Sequence, residues 1–257
     1  MNRNSPVLAA LMMAALTFTA AYAGAAAVPS NIKAAVADTN RPDADRQRDA
    51  DRKPAETLAF AGVKPGTTIA ELLPGGGYFT RLFSDAVGNS GHVYLLVPPR
   101  PADAPAGRPD FVALANAVIA DGKYPNVSVV VGPYTNLEIP APVDMVWTSL
   151  NYHDLHNIPD FDVGAFNKRV FDGLKPGGIY LVLDHAAEAG SGTRDTKTLH
   201  RIDPQTVTQE VRAAGFVLVA SSDLLRRTDD AHTLKVQDPS IRGKTDQFIL
   251  KFRKPAK

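Results

Sequence analysis

Hydrophobic and polar residues follow one another along this chain in blocks that predict strands and helices in turn. Short apolar runs without clean alternation are typical of strands buried on both faces, and they lie at residues 67–73, 91–97, 127–132, 143–150 and 177–185. Apolar residues at helical spacing predict helices at 54–61, 78–87, 111–121, 161–174 and 203–215. Two further strands, at 216–225 and 245–254, have no helix between them, so we expect the last one to run antiparallel.

This order of elements predicts an α/β domain with a mostly parallel sheet covered by helices on both faces. In such open sheets, ligands bind beyond the carboxyl ends of the strands, near the point where the strand order reverses. Candidate functional residues are therefore those that directly follow a predicted strand.

The first 23 residues have the pattern of a secretory signal peptide. Arg3 is the only charge before Lys33, residues 7–20 are apolar, and Ala21-Tyr22-Ala23 fits the small-x-small pattern of a cleavage site. We expect cleavage before Gly24 or within the following alanine run, and export, most simply to a periplasm. An uncleaved membrane anchor is the alternative, although the apolar stretch is short for a membrane span. Residues 24–53, which are alanine-rich and then highly charged, are predicted to be a flexible lead-in followed by an exposed charged helix.

Composition narrows the choice of partner. The formal net charge is +1, and removal of Arg3 with the signal peptide would leave equal numbers of acidic and basic residues. A neutral chain does not favour nucleic acid or an anionic membrane as partner, so we expect a small-molecule substrate. The chain has no cysteine, which excludes disulfides and thiolate metal sites. Residues 54–257 are predicted to form one domain.

A glycine turn joins the first predicted strand to the next helix. Glu71 ends the apolar run, and Gly75-Gly76-Gly77 follow shortly before the helix that begins at Tyr78. Glycines allow a sharp bend and let backbone approach a ligand closely, and a helix N-terminus offers free amides. Such turns are common, so a tight turn that binds nothing is the alternative.

Four stretches together resemble class I S-adenosylmethionine-dependent methyltransferases. They are AELLPGGGYFTRLFS, VDMVWTSLNYHDL, LKPGGIYLVLDH and VRAAGFVLV with the closing TDQFILKFRK, and they span residues 54–255. More narrowly, RKPAETLAFAGVKPG, NYHDLH and LHRID are similar to an uncharacterised group of exported, predicted methyltransferases. The resemblance implies a Rossmann-like three-layer sandwich with a seven-stranded sheet, and S-adenosylmethionine as cofactor.

Cofactor-binding residues are carried over from that resemblance position by position. Glu71 matches the acid that opens the glycine motif, and Gly75 and Gly77 match its second and third glycines. The implied cofactor site comprises residues of the turn and one after the fourth strand: Glu71, Pro74, Gly75, Gly76, Gly77, Tyr78, Thr80 and Asn151. Two positions depart from the pattern, since Leu73 replaces the first glycine and Val97 replaces the acid that normally holds the ribose hydroxyls.

Four histidines directly follow predicted strands or lie just before the last helix. We name His153, Asp154, His185 and His200 as candidate catalytic residues, because histidine can accept a proton from a methyl acceptor and a neighbouring carboxylate can orient it. A metal site formed by His153, His156, Asp184 and His185 is one alternative. Structural histidines that tie loops together are another.

Three functions remain open from the sequence. The first is an S-adenosylmethionine-dependent methyltransferase acting on a small molecule. The second is a non-catalytic exported binding protein that keeps the fold, which Val97 and the proline-rich stretch 98–109 favour. The third is a dinucleotide-dependent enzyme, in which Gly75, Gly77 and Thr80 imitate a GxGxxG turn and Arg100 meets a phosphate.

Overall fold

The computed structural model of this chain describes residues 27–256 and contains a seven-stranded sheet with strand order β3-β2-β1-β4-β5-β7-β6. The strands are β1 Thr68–Leu72, β2 His92–Val97, β3 Val127–Val131, β4 Val143–Ser149, β5 Leu174–His185, β6 Val217–Ser222 and β7 Gln247–Arg253. β1 to β5 pair in parallel, whereas β7 pairs antiparallel to both β5 and β6. The expected antiparallel last strand is thus confirmed.

Nine helices accompany the sheet in the described part of the chain. They are α1 Ser30–Ala37, α2 Asp43–Arg46, α3 Asp49–Arg52, α4 Pro54–Ala61, α5 Tyr78–Val87, α6 Phe111–Ile119, α7 Tyr152–Leu155, α8 Val163–Gly173 and α9 Pro204–Ala213, with a 3₁₀ turn at Tyr134–Asn136. None of the helices within residues 27–256 is both long and apolar enough to cross a membrane.

The helices cover both faces of the sheet and produce two hydrophobic cores. One core packs α1, α4, α5 and α6 against the sheet around the fully buried Trp147. The other packs α8 and α9 around Tyr180 and Phe252. This is the predicted three-layer α/β sandwich, and it explains why the central strands are apolar on both faces.

Local signals determine several helix boundaries. Pro54 occupies the first turn of α4, and Gly62 ends it in the left-handed conformation at φ 87°. The Asp203 side chain accepts a hydrogen bond from the Gln205 amide (2.8 Å) and caps α9, with Pro204 next. Both helices were predicted at these positions, because caps, prolines and glycines act over a few residues.

The predicted flexible lead-in is wrong from residue 30 onward, where α1 begins. The predicted exposed helix is present as two short helices, α2 and α3, but Arg41 and Asp45 in this segment are buried. α1 packs against α5, and Ile32 and Ala35 on its inner face are buried. Arg41 is 1% exposed, and both of its terminal nitrogens donate hydrogen bonds to the Asp49 carboxylate, at 2.8 and 2.7 Å. The folded domain therefore begins before residue 54. The proposed cleavage site and signal peptide lie outside the described residues.

We expect Ile32→Ala to lower the free energy of unfolding by about 3 kcal/mol, because it removes a fully buried side chain and leaves a cavity. Lys33→Ala, on the exposed face of the same helix, is the matched control and should be nearly neutral. Urea unfolding followed by circular dichroism measures both changes. Two neutral variants would mean that α1 does not pack on the domain.

Candidate cofactor cleft and histidine cluster

An open cleft of about 300 Å³ lies at the carboxyl ends of β1 and β4, where the strand order reverses. That volume is at the lower end of the range for small-molecule sites. The glycine turn, the loop after β4 and the charged segment 41–53 form its walls. The lining residues are Asp45, Arg48, Arg52, Leu73, Pro74, Gly75, Gly76, Tyr78, Phe79, Phe111, Ser149, Leu150, Asn151 and Asp154.

The three glycines of the turn have different structural roles. A Cβ added at Gly75 or Gly76 would meet no atom within 4 Å, so the backbone there faces open space. Gly77 has φ 80°, and its Cβ would lie 2.4 Å from Cγ2 of Val118 on α6. Gly75 and Gly76 can therefore meet a ligand, whereas Gly77 is required for helix packing and does not line the cleft.

Glu71, predicted to contact the cofactor, is buried beneath the turn and does not line the cleft. Its carboxylate accepts a hydrogen bond from the Thr80 hydroxyl (2.6 Å), and Thr80 is also fully buried. Burial raises the pKa of Glu71 to about 7, against the opposing effects of Thr80 and of the cations Arg52 and Arg81. Glu71 and Thr80 thus lie behind the cleft wall, where they support the turn.

The charged segment 41–53 contributes two arginines to the cleft. The Arg52 guanidinium lies 4.5 Å from the centre of the Tyr78 ring, and that of Arg48 lies at 5.4 Å. Burial, together with the charge of Arg48, lowers the pKa of Arg52 to about 10. The Tyr78 hydroxyl donates to Asp49 (2.7 Å), and this bond fixes the ring. A solvated surface helix was expected here, because the sequence does not show which ring the arginines meet.

Asn151 ties together the two strand ends that form the floor of the cleft. Its amide nitrogen donates to the backbone carbonyls of Leu72 (3.1 Å) and Ser149 (3.1 Å), and its oxygen accepts from the Thr148 hydroxyl. Asn151 lines the cleft, as predicted, but its amide hydrogens are used by the protein backbone. Its contribution is to hold the cleft's shape.

Two leucines that line the cleft have left-handed backbone conformations, Leu73 at φ 48° and Leu150 at φ 60°. Such conformations cost about 1–3 kcal/mol for residues other than glycine and are concentrated at functional sites. Leu73 stands where the resembled motif has its first glycine, and its left-handed backbone is one that glycine adopts readily. Val97, by contrast, is buried and does not line the cleft, so β2 supplies no carboxylate for a ribose.

The histidine cluster consists of His153, Asp154, Asp184 and His200. The Nδ1 of His153 lies 2.9 Å from one Asp184 oxygen, and Asp184 also accepts hydrogen bonds from the backbone amides of residues 153 and 185. Burial alone would lower the pKa of His153, but the Asp184 carboxylate holds it above the usual value. The Nε2 of His153 faces Nδ1 of His200 at 3.2 Å. Since Asp154 also lines the cleft, the cluster adjoins it.

The remaining predicted residues have other hydrogen-bond partners, although the ring centre of His185 lies only 6.2 Å from that of His153. His185 hydrogen-bonds Thr245 (2.8 Å), and burial lowers its pKa to about 4. His156 faces Glu210 at 3.3 Å, so the proposed metal set of His153, His156, Asp184 and His185 is not assembled. Arg201, next to His200 in the chain, is buried in a bidentate ion pair with Asp230 (2.8 and 3.1 Å).

Comparison with solved structures gives the class of fold. A methyltransferase described as SAM dependent from Aquifex aeolicus has a TM-score of 0.53 and 17% identity, over 77% of this chain and 88% of that one. A second similar structure is the complex of the Haloferax volcanii Trm112 methyltransferase activator and a putative methyltransferase. The matching chain has a TM-score of 0.57 and 18% identity, over 89% of this chain and 99% of that chain. The [4+2]-cyclase SpnF has a TM-score of 0.56 and 18% identity, over 83% of this chain and 82% of that chain.

This chain therefore has the Rossmann-like fold of S-adenosylmethionine-dependent methyltransferases, with the antiparallel closing strand. No protein-family model matches the sequence, and no curated protein matches it. Because the identities are below 20%, the likeness concerns architecture, and the cyclase shows that this architecture also carries other reactions.

The raised pKa of Glu71 predicts how stability depends on pH. A carboxyl group whose pKa rises from 4.5 to about 7 on folding binds its proton more tightly in the folded state. The contribution of Glu71 to stability is therefore greatest below pH 4.5 and falls, by about 3 kcal/mol, as the pH rises to 7. Glu71→Gln removes this loss, so its stability relative to the parent should increase over that range.

Urea unfolding at pH 5, 6, 7 and 8 tests this, with Glu56→Gln on the exposed side of α4 as the matched control. A constant difference between Glu71→Gln and the parent across these pH values would show that Glu71 ionises as it does in water.

Proposed function

We propose that this chain is an S-adenosylmethionine-dependent methyltransferase that acts on a small molecule and is exported. The observation that carries the proposal is the open cleft against the side-chain-free backbone of Gly75 and Gly76, at the switch point of a fold shared with methyltransferases. Backbone amides at the start of α5 and an open glycine turn suit a nucleoside-containing cofactor.

The chemistry of the cleft walls fits this cofactor. The carboxylate of its methionine part would pair with Arg48 or Arg52, since guanidinium groups bind carboxylates well. Phe79 and Phe111 also line the cleft and offer aromatic surface to the adenine. The charged segment would thus bind the methionine end of the cofactor.

The acceptor would lie between the cleft and the histidine cluster. Asp184 holds Nδ1 of His153, which leaves Nε2 to take a proton from an acceptor hydroxyl or amine as the methyl group is transferred. Alignment of acceptor and methyl group would supply most of the rate enhancement. Asp154 lines the cleft and His200 lies beside His153, so both are candidates for acceptor contacts.

A non-catalytic binding protein with this fold is the second candidate, and the burial of Val97 is the observation that favours it. Residues 98–109 do not line the cleft, so the proline-rich loop does not block it. A dinucleotide-dependent enzyme has less support, because Gly77 and Thr80 do not line the cleft and Arg100 donates hydrogen bonds to carbonyls of its own loop.

Calorimetry with S-adenosylhomocysteine tests whether the cleft is the cofactor site. We expect micromolar binding, weakened at least about tenfold by Gly76→Val, because the new side chain would enter the cleft. Gly132→Val is the matched control: that glycine is equally open but lies after β3, outside the cleft. An absence of heat at high micromolar ligand, or equal losses in both variants, would contradict the proposal.

The role of His153 is tested by S-adenosylhomocysteine release from S-adenosylmethionine in the presence of a panel of small hydroxyl and amine acceptors. His153→Ala should lower turnover by about 100-fold or more while leaving the affinity for S-adenosylhomocysteine nearly unchanged. His156→Ala, beside Glu210, is the control. Equal loss of turnover and cofactor affinity would make His153 structural, and cofactor binding without turnover on any acceptor would support the binding protein.

A further inference from the structure

Three side-chain atoms of the histidine cluster form a nearly equilateral triangle. Nε2 of His153 lies 3.2 Å from Nδ1 of His200, and Oδ1 of Asp154 lies 3.4 Å from each of these nitrogens. Each residue contributes one atom that can ligate a metal ion. The triangle is formed by residues from two separate segments, the short helix α7 after β4 and the loop before α9.

The edges of this triangle match the coordination geometry of zinc. Ligands about 2.0–2.1 Å from an ion, at the tetrahedral angle, are separated by about 3.3–3.4 Å. Octahedral ligands at about 2.1 Å would be closer, at about 3.0 Å. Two imidazole nitrogens with one carboxylate oxygen also favour a first-row transition-metal dication over Mg²⁺ or Ca²⁺, which prefer oxygen ligands alone.

Asp184 prepares His153 for this role. The ionised carboxylate can only accept, so the hydrogen of neutral His153 lies on Nδ1 and the lone pair on Nε2 points at the other two ligand atoms. A carboxylate behind a ligating histidine is the usual outer-shell partner of a metal site. Asp184 is itself fully buried and held by two backbone amides, which fixes the ring.

The triangle is accessible from one side. The His153 side chain is 3% exposed, whereas those of His200 and Asp154 are 26% and 45% exposed, and Asp154 lines the cleft. His200 has a left-handed backbone at φ 55°, and the centre of its ring lies 5.3 Å from that of His153. An ion held by three protein ligands would keep a coordination position open, as catalytic zinc sites do.

We propose that His153, Asp154 and His200 bind a zinc-class divalent ion, with Asp184 as the positioning residue. Ion binding does not depend on the proposed methyl transfer. Only a second role rests on the proposed function: a hydroxyl acceptor in the cleft could take the open coordination position. With the ion bound, the Nε2 lone pair of His153 is committed to the metal, so the metal-loaded and metal-free proteins would activate an acceptor differently.

The test is metal binding by the purified protein after treatment with a chelator and its removal. Titration with Co²⁺, which gives intense visible absorption in tetrahedral sites, should show one ion per chain, and Zn²⁺ should displace it. His200→Asn is the main variant, because asparagine tolerates the left-handed backbone while the imidazole is lost. It should weaken binding by about 100-fold or more, and Asp184→Asn by about 10–100-fold.

His156→Gln is the matched control, since that histidine lies three residues from His153 but faces Glu210. Its metal affinity should equal that of the parent, and thermal melting should show that His200→Asn remains folded. The proposal is overturned if no saturable binding occurs, if His200→Asn binds as tightly as the parent, or if His156→Gln loses as much affinity. Calorimetry with S-adenosylhomocysteine on the chelator-treated protein is a separate measurement, so failure of one proposal does not imply failure of the other.

Discussion

The parallel pairing of β1 with β4 is the constraint on which the rest of this structure depends. The chain runs outward from β1 through β2 to β3, then returns to lay β4 on the other side of β1. The connections that follow the two central strands therefore leave in opposite directions, and a gap opens at their carboxyl ends. Asn151 bridges the floor of this gap by hydrogen bonds to both strands, which keeps the ends at a fixed separation.

Several buried polar groups lie around that gap. Arg41 is paired with Asp49 and His153 hydrogen-bonds Asp184, whereas Glu71 has only the Thr80 hydroxyl as partner and its pKa is raised by burial. Unpaired burial would cost several kcal/mol for each ion, so these pairs hold segments that are distant in sequence in defined positions. The charged segment 41–53 is thereby part of the site wall, although its composition is that of a solvated helix.

Much of the fold and part of the site could be predicted from single residues and their spacing. The bounds of α4 and α5, and the sequence of strands and helices along the chain, follow from local caps and apolar runs. The glycine turn and the residues after β4 were correctly expected at the strand ends, and Pro74, Gly75, Gly76, Tyr78 and Asn151 do line the cleft. The sequence could not show that Glu71 and Thr80 lie behind the cleft wall and do not line the cleft. Whether a side chain near the turn faces the cleft or the protein interior depends on how the following helix packs. His156 was grouped with His153 for the same reason: sequence spacing does not show which neighbour each ring will face.

What the sequence determined by itself was therefore the class of architecture and the edge of the sheet at which chemistry is possible, since both depend on local periodicity and on the direction of parallel strands. The tertiary structure alone decided that α1 and the charged segment belong to the domain. It also decided that His153 meets Asp184 and His200, while the rings of His185 and His156 face Thr245 and Glu210. Those outcomes depend on contacts between residues tens of positions apart. Their geometry arises only when both hydrophobic cores have closed and the loops after β4 and β5 have been brought to the same place.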